Sequence, residues 1–199
     1  MANHYSPSEF FKTAYSLLLT KLTFPQCRLI RRPIYIRGAD SMDGAQGLTT
    51  GRFCRFDLDG NKKTLMIGPN CEFGDLTHIV ALNHVEIGAN VLIASKCFIS
   101  DINHGNYKDK NMSNPSAPPK NRQLFSAKVV IGENVWIGEN VVILPGTIIG
   151  DGCVIGANSV VKGVIPTRTI AVGAPARIVK VWNSLNNTWE KYRNKENKE

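Results

Sequence analysis

The chain has 199 residues, 43% of them hydrophobic, and a formal net charge of +8. That length supports one domain with terminal additions and a sizeable core, while the apolar stretch Ala14–Leu19 is far too short to span a bilayer. Cys27, Cys54, Cys71, Cys97 and Cys153 form an odd set with no CxxC pair, which argues against a disulfide framework and a zinc knuckle, and the basic residues lack the interleaved aromatics of a nucleic-acid motif.

The first residues, MANHYSPSEF, lack the basic start and apolar run of a signal peptide, so a soluble, cytoplasmic chain is expected. Over Ser8–Leu22, Phe10, Phe11, Ala14, Leu17, Leu18 and Leu22 recur at helical spacing behind a Ser-Pro-Ser-Glu start, which predicts an amphipathic helix. Its apolar stripe would either cap the open end of a repeat or lie on a membrane, and capping is the preferred reading. Arg28, Arg31, Arg32 and Arg37 follow. With Lys191, Arg193, Lys195 and Lys198 at the far end they carry much of the net charge. Such ends are either solvated charge or an attraction for an anionic ligand or membrane surface. Residues 34–57 are expected to form a first irregular coil, so that 1–64 comprise the helix and an irregular start.

A six-residue period then takes over. Isoleucine or valine recurs at Ile131, Ile137, Ile143, Ile149, Ile155 and Val161, and the same step links Ile67, Phe73 and Ile79, then Ile87, Ile93 and Ile99. Gly follows many of these positions, and a small or β-branched residue stands four places on, as at Cys71, Cys97, Val135, Thr147, Cys153 and Ser159. A helix needs three- and four-residue steps and a lone strand needs strict alternation, so neither fits. A short strand and a corner, repeated every six residues, does. The aliphatic residue points into a triangular interior and the small residue fills the narrow space beside it. Gly and Asn in Gly-Pro-Asn, Gly-Ala-Asn and Gly-Glu-Asn supply corners that tolerate positive φ. Three sides close one coil, and successive coils pair as parallel strands about 4.8 Å apart. Cys71, Cys97 and Cys153 are then small buried hydrophobes.

Two breaks interrupt the period. From Ile79 to Ile87 the phase slips by two residues, which puts Asn83 in a slot normally held by a small residue. Residues 101–127 carry no repeat, are polar and rich in Pro and Asn, and hold a histidine, His104, near their start. A loop ejected from a regular solenoid at such a residue points to function. The repeat resumes to residue 178. Residues 179–199 are expected to form a short helix carrying Trp182, Trp189 and Tyr192 as packing residues, followed by the basic tail.

The run Ser-Asp-Ile-Asn-His-Gly (residues 100–105), the later Asn-Val-Trp-Ile-Gly (134–138) and Gly-Ala-Pro-Ala-Arg (173–177) resemble the hexapeptide-repeat O-acetyltransferases. Among these the chain is most similar to the O-antigen and exopolysaccharide enzymes, over about Leu65–Lys180. The resemblance implies an all-β fold, a left-handed parallel β-helix (hexapeptide-repeat solenoid), with an N-terminal helix, an ejected loop and a short C-terminal helix. It also implies acetyl transfer from acetyl-CoA to a sugar hydroxyl in surface-polysaccharide biosynthesis, without a metal. His104 falls at the position of the catalytic base; a neutral imidazole suits that role. Asp101 or Asn103 could hold its tautomer or stabilise the turn. For the cosubstrate the resemblance singles out Trp136, Gly138, Ala157, Lys162 and Lys180. Trp136 occupies a slot otherwise held by Val, Ile or Ser, so its indole must project outward. Lys180 replaces an Arg of the galactoside enzymes, keeping charge without a bidentate fork. For the acceptor, Asp75, Asn83 and His84 lie in the coils that precede His104 and break the aliphatic pattern; Gly74 stands where the galactoside enzymes carry a substrate-binding Asn, which passes the role toward Asp75. The expected partners are acetyl-CoA, a saccharide acceptor, two further copies in a homotrimer and the inner membrane surface, with no nucleic acid. The competing readings are a zinc enzyme of the γ-carbonic-anhydrase type, using His78, His84 and His104, and a non-catalytic binding solenoid.

Overall fold

A two-residue strand followed by a tight corner returns the chain to the same side of the molecule after three repeats. In the computed structural model, which describes residues 6–108 and 111–193, this rule is visible in the register. Ile137 pairs with Ile155, eighteen residues on (155 − 137), and Ile143 pairs with Val161 at the same separation. Three parallel sheets result, one per side of a triangular prism. The first face includes Glu72–Phe73, Leu92–Ile93, Trp136–Ile137 and Val154–Ile155. The second includes Arg55–Leu58, His78–Ala81, Phe98–Ser100, Val142–Ile143 and Val160–Val161. The third includes Leu65–Ile67, Val85–Ile87, Val129–Ile131, Ile148–Ile149 and Val164–Ile165.

The interior is the one the period predicts. Ile131, Ile137, Ile143, Ile149, Ile155 and Val161 are each 1% exposed or less. Cys71, Cys97 and Cys153 fill the inward slots beside them, and each Sγ lies near a backbone carbonyl of a neighbouring coil or corner. At the corners the division of labour is finer than expected. Asn carries the positive φ, as at Asn90 (57°) and Asn140 (58°). Gly152 takes the same conformation at its corner (65°), whereas the glycine that follows the inward residue serves close approach: a Cβ on Gly68 would sit 2.6 Å from the amide nitrogen of Ala89 in the next coil.

The coils start before the hexapeptide pattern is legible. Leu29–Ile30, Tyr35–Arg37 and Met42–Gly44 already belong to the first, second and third sheets, so the prism begins at Leu29. Larger residues, Leu48 and Phe56, fill its interior there.

The N-terminal helix, α1 (Pro7–Thr23), is capped by Ser6, whose Oγ accepts the Glu9 N–H at 3.2 Å. It covers the open end of the prism, but with its polar stripe rather than its apolar one. Thr20 Oγ1 accepts the N–H of Ile30 at 2.9 Å, and Ser16 Oγ accepts that of Arg32 at 3.2 Å. Leu29–Ile30 is the edge strand of its sheet, with backbone donors to satisfy, and hydroxyls do this where aliphatic side chains cannot.

At the other end the expected short helix is absent among the described residues, which run to 193. Arg177–Asn183 runs antiparallel to Thr169–Val172, and Thr188–Lys191 pairs back on it as a hairpin. Ile178, Val179 and Val181 are β-branched, and the last coil offers an unpaired strand edge that a helix would leave bare. Trp182 packs edge-to-face on its cross-strand partner Trp189, ring centroids 5.4 Å apart, which bears out the packing role. Lys195 and Lys198 lie outside the described residues.

Candidate active site

Two breaks in the repeat meet at one edge, between the second and third faces. The strand His78–Ala81 runs on into a turn over Leu82, Asn83 and His84 before the third face resumes at Val85. One coil further, at the same edge, the chain leaves the prism after Ser100. The ejected segment is built, not loose. Ile102–His104 pairs antiparallel with Leu124–Ser126, and the Ala127 N–H closes the base on the carbonyl of Asp101 at 2.9 Å. Arg122 ties the interior of the loop, donating to the carbonyls of Ala117 (2.9 Å) and Pro115 (3.0 Å) and to the Tyr107 hydroxyl (2.8 Å). Tyr107 in turn donates to the carbonyl of His104 at 2.5 Å. His104 is thus held by its backbone while its ring stands exposed at the prism edge.

Of the two roles open to Asp101, its contacts are those of a turn brace, on the turn of the preceding coil. It is fully buried, and its carboxylate accepts the N–H groups of Leu82 (3.1 Å), Asn83 (2.6 Å) and His84 (2.7 Å). Buried donors of an irregular turn need partners, and a carboxylate with two free oxygens is a strong one. Asp101 therefore locks the acceptor-side turn to the root of the loop instead of orienting the imidazole. Asn83 is exposed at the tip of that turn, not in an inward slot, because the two extra residues are absorbed outside the prism. His84 Nε2 lies 3.4 Å from Glu86 Oε2.

Beneath the loop, Asn103, Tyr107 and Phe125 close a cavity of about 220 Å³ with Leu144, Pro145 and Lys162 from the next two coils. Lys162 also faces a larger recess of about 490 Å³ formed with Val164, Ala176, Arg177 and Tyr192. The contribution of Tyr107, Arg122, Phe125 and Pro145 was missed in the sequence. A lone Arg amid a Pro- and Asn-rich loop was the only signal.

The remaining residues lie elsewhere. Trp136 is on the first face, 53% exposed, so its indole does project outward. It stands in register between Leu92 and Val154, and Val154 pairs with Ile170, which pairs with Lys180. Leu92, Trp136, Val154 and Ile170 thus form an outward apolar ladder at about 4.8 Å steps, ending opposite a cation. Gly138 and Ala157 stack at the neighbouring corner, between the first and second faces, with a Gly138 Cβ allowed only 2.6 Å from Ala157 N. Asp75 sits at that corner too and accepts the Arg52 N–H at 2.6 Å, a brace between coils. A Cβ on Gly74 would meet Ser95 N at 2.5 Å, so an Asn would not fit there.

The site residues fall into two groups. Asn83, His84, Asp101, Asn103, His104 and Lys162 share the edge between the second and third faces. Asp75, Trp136, Gly138, Ala157 and Lys180 occupy the first face and its corner, on the opposite side of the same prism. His78, the further histidine of the zinc reading, is on the second face, where its Nε2 lies 3.0 Å from Asp57 Oδ2 and its ring packs on Phe98.

Comparison with known proteins agrees with the fold. The model of the bacterial transferase hexapeptide (six repeats) matches residues 128–163. WbbJ of Escherichia coli K12, named as a lipopolysaccharide-biosynthesis O-acetyltransferase, is 44% identical over 192 residues, covering 96% of this chain and 97% of its own. A galactoside acetyltransferase solved with coenzyme A is 31% identical, with a TM-score of 0.57, over 92% of this chain and 76% of its own. A hexapeptide-repeat acetyltransferase from Vibrio cholerae O1 biovar eltor, solved with acetyl-CoA, is 27% identical with a TM-score of 0.59, over 72% of each chain. The prism has the left-handed sense of these neighbours.

Proposed function

The chain belongs to the hexapeptide-repeat O-acetyltransferases, and from that premise we propose that it acetylates a sugar hydroxyl from acetyl-CoA during assembly of O-antigen or another surface polysaccharide. The observation that supports the chemistry best is the placement of His104: exposed, fixed through its carbonyl, and flanked by Asn103 and Gly105, which line the cavity under the loop with Lys162.

A sugar hydroxyl attacks a thioester carbonyl only as its proton is removed. His104 takes that proton while the new C–O bond forms, then returns it to the sulfur as the C–S bond breaks. The transfer is direct, since all five cysteines are buried and no serine stands against a histidine as a nucleophile pair among the described residues. Asn83 and His84, locked beside the loop by Asp101, are placed to meet the acceptor, with Asn103 at the loop root; Asp75 is the weaker member of this set, its carboxylate being engaged by Arg52.

The apolar ladder through Trp136 suits the pantetheine arm, the glycine corner at Gly138 and Ala157 lets it approach backbone, and Lys180 and Lys162 suit its phosphates. One protomer holds His104 and that ladder on opposite sides. A homotrimer about a threefold axis resolves this, because the edge of one prism then faces the first-face corner of its neighbour. In this reading the basic ends bring the enzyme to the cytoplasmic membrane surface, where a lipid-linked acceptor would be found.

The test is acetyl-CoA consumption across a panel of surface-polysaccharide precursors. His104→Ala should lower kcat by about 10²–10⁴ while acetyl-CoA still binds. Full activity in that variant would remove His104 as the base.

A further inference from the structure

Helix α1 is packed inside out. Its stripe of Glu9, Thr13, Ser16 and Thr20 faces the prism, with Ser16 and Thr20 its buried residues and Glu9 paired to Arg52 at 2.8 Å. On the opposite side Phe10, Phe11, Tyr15, Leu18 and Leu22 are 59–72% exposed. At 100° per residue these side chains, with Ala14 and Leu17, spread over roughly 160° of the helix. Lys21 falls inside that arc, its Nζ donating to the Cys27 carbonyl at 3.2 Å, and Tyr15 borders a recess shared with Arg32, Pro33, Ile34 and Phe53; the remaining side chains form an exposed apolar face among the described residues.

Charge decides what covers it. Residues 7–37 contain Lys12, Lys21, Arg28, Arg31, Arg32 and Arg37 against a single acid, Glu9, which is shared by Lys12 and Arg52; Arg28 and Arg37 pair with Glu72 and Asp57 of later coils, leaving Lys21, Arg31 and Arg32 without an acidic partner among the described residues. A second copy of the chain would bring the same excess of positive charge to the contact. An anionic lipid surface brings the opposite charge together with an apolar phase at helix depth. Among the described residues no helix is long and apolar enough to cross a membrane, so the helix would lie in the interface plane. Two aromatic residues at its start, Phe10 and Phe11, and Tyr15 one turn on suit the headgroup boundary.

We propose that α1 is an in-plane anchor that docks the enzyme on an anionic phospholipid bilayer through Phe10, Phe11, Tyr15, Leu18 and Leu22. This deepens the membrane contact of the proposed function by naming the element and the partner surface. It also explains a helix attached to the prism by hydroxyls: the apolar side chains are reserved for a partner outside the chain.

The experiment is co-sedimentation of the full chain with phosphatidylcholine vesicles, with and without phosphatidylglycerol, at low and high salt. Binding should need the anionic lipid and weaken as salt rises. The double substitution Phe11→Asp and Leu18→Asp should reduce partitioning by about tenfold or more, with unchanged circular dichroism and unchanged acetyl-CoA binding. Absence of vesicle binding by the wild-type chain, or equal binding by the double variant, would overturn the proposal. So would a double variant of lower oligomeric mass in light scattering, which would assign the face to another copy. Vesicle binding is read independently of acetyl transfer, and the lower-mass outcome, which would also open the seam between subunits, is identified by the light scattering itself.

Discussion

The carboxylate of Asp101 accepts the backbone N–H of His84 at 2.7 Å, joining the turn of one coil to the loop root of the next. With the bonds to Leu82 and Asn83 it makes one rigid unit of two irregular segments. Asp101→Ala would strand these donors in a buried site. A loss of about 3 kcal/mol is expected, measured by denaturant unfolding, with a smaller loss for Asp101→Asn. Unchanged stability in the alanine variant would show that the turn does not depend on the carboxylate.

Trp136 contributes little to the core, being half exposed on the first face. Trp136→Ala should therefore leave the unfolding midpoint nearly unchanged while raising the KM for acetyl-CoA by about tenfold, the order expected for losing one stacked aromatic contact. Steady-state kinetics at saturating acceptor would check this. A large stability loss with an unchanged KM would return the indole to a structural role.

Gly138 offers the opposite balance. Its added Cβ would lie 2.6 Å from Ala157 N and 3.0 Å from Ala157 Cα, both backbone atoms that cannot swing aside. Gly138→Ala should cost about 1–3 kcal/mol and widen the corner. Thermal unfolding measures the cost, and a weakened acetyl-CoA affinity in calorimetry would accompany it.

Asp57 predicts an acid-side dependence. Partial burial raises its carboxyl pKa, but hydrogen bonds from Arg55 (2.7 Å) and His78 (3.0 Å), with the charges of Arg55 and Arg37, outweigh that and hold it below its ordinary value. A carboxyl lowered in the folded state stabilises above its unfolded pKa and loses that contribution as pH falls through the folded one. Stability should therefore decline below about pH 4, and Asp57→Asn should flatten that decline. Unfolding curves between pH 2 and pH 6 would show parallel profiles if the assignment is wrong.

Burial pushes the Cys27 and Cys54 thiols up to about 11. The native chain should resist alkylation near pH 8, and all five cysteines should react once it is unfolded. Because these thiols are harder to ionise when folded, their contribution is complete below the ordinary thiol value and is lost as pH rises toward 11. Mass spectrometry after a brief iodoacetamide pulse gives the count.

The cross-section of the prism was legible from residues alone. Inward Ile and Val at every sixth place, small residues four places on and Asn at the corners are local demands, and each coil repeats them. His104 was legible as well, because it stands near the start of the stretch where the repeat stops. The first coils were less so, since Leu48 and Phe56 meet the same inward demand without the short period.

Tertiary structure decided everything that joins distant parts of the chain. Only the fold shows that Asp101 serves the turn over residues 82–84, that His104 and Trp136 stand on opposite sides of one prism, and that α1 turns its hydroxyls inward. It also replaced a C-terminal helix by a hairpin, because the last coil presents a strand edge whose backbone groups need partners. A six-residue period specifies which side chains point inward; the pairing of edges, turns and ends depends on which unsatisfied groups three-dimensional closure brings together.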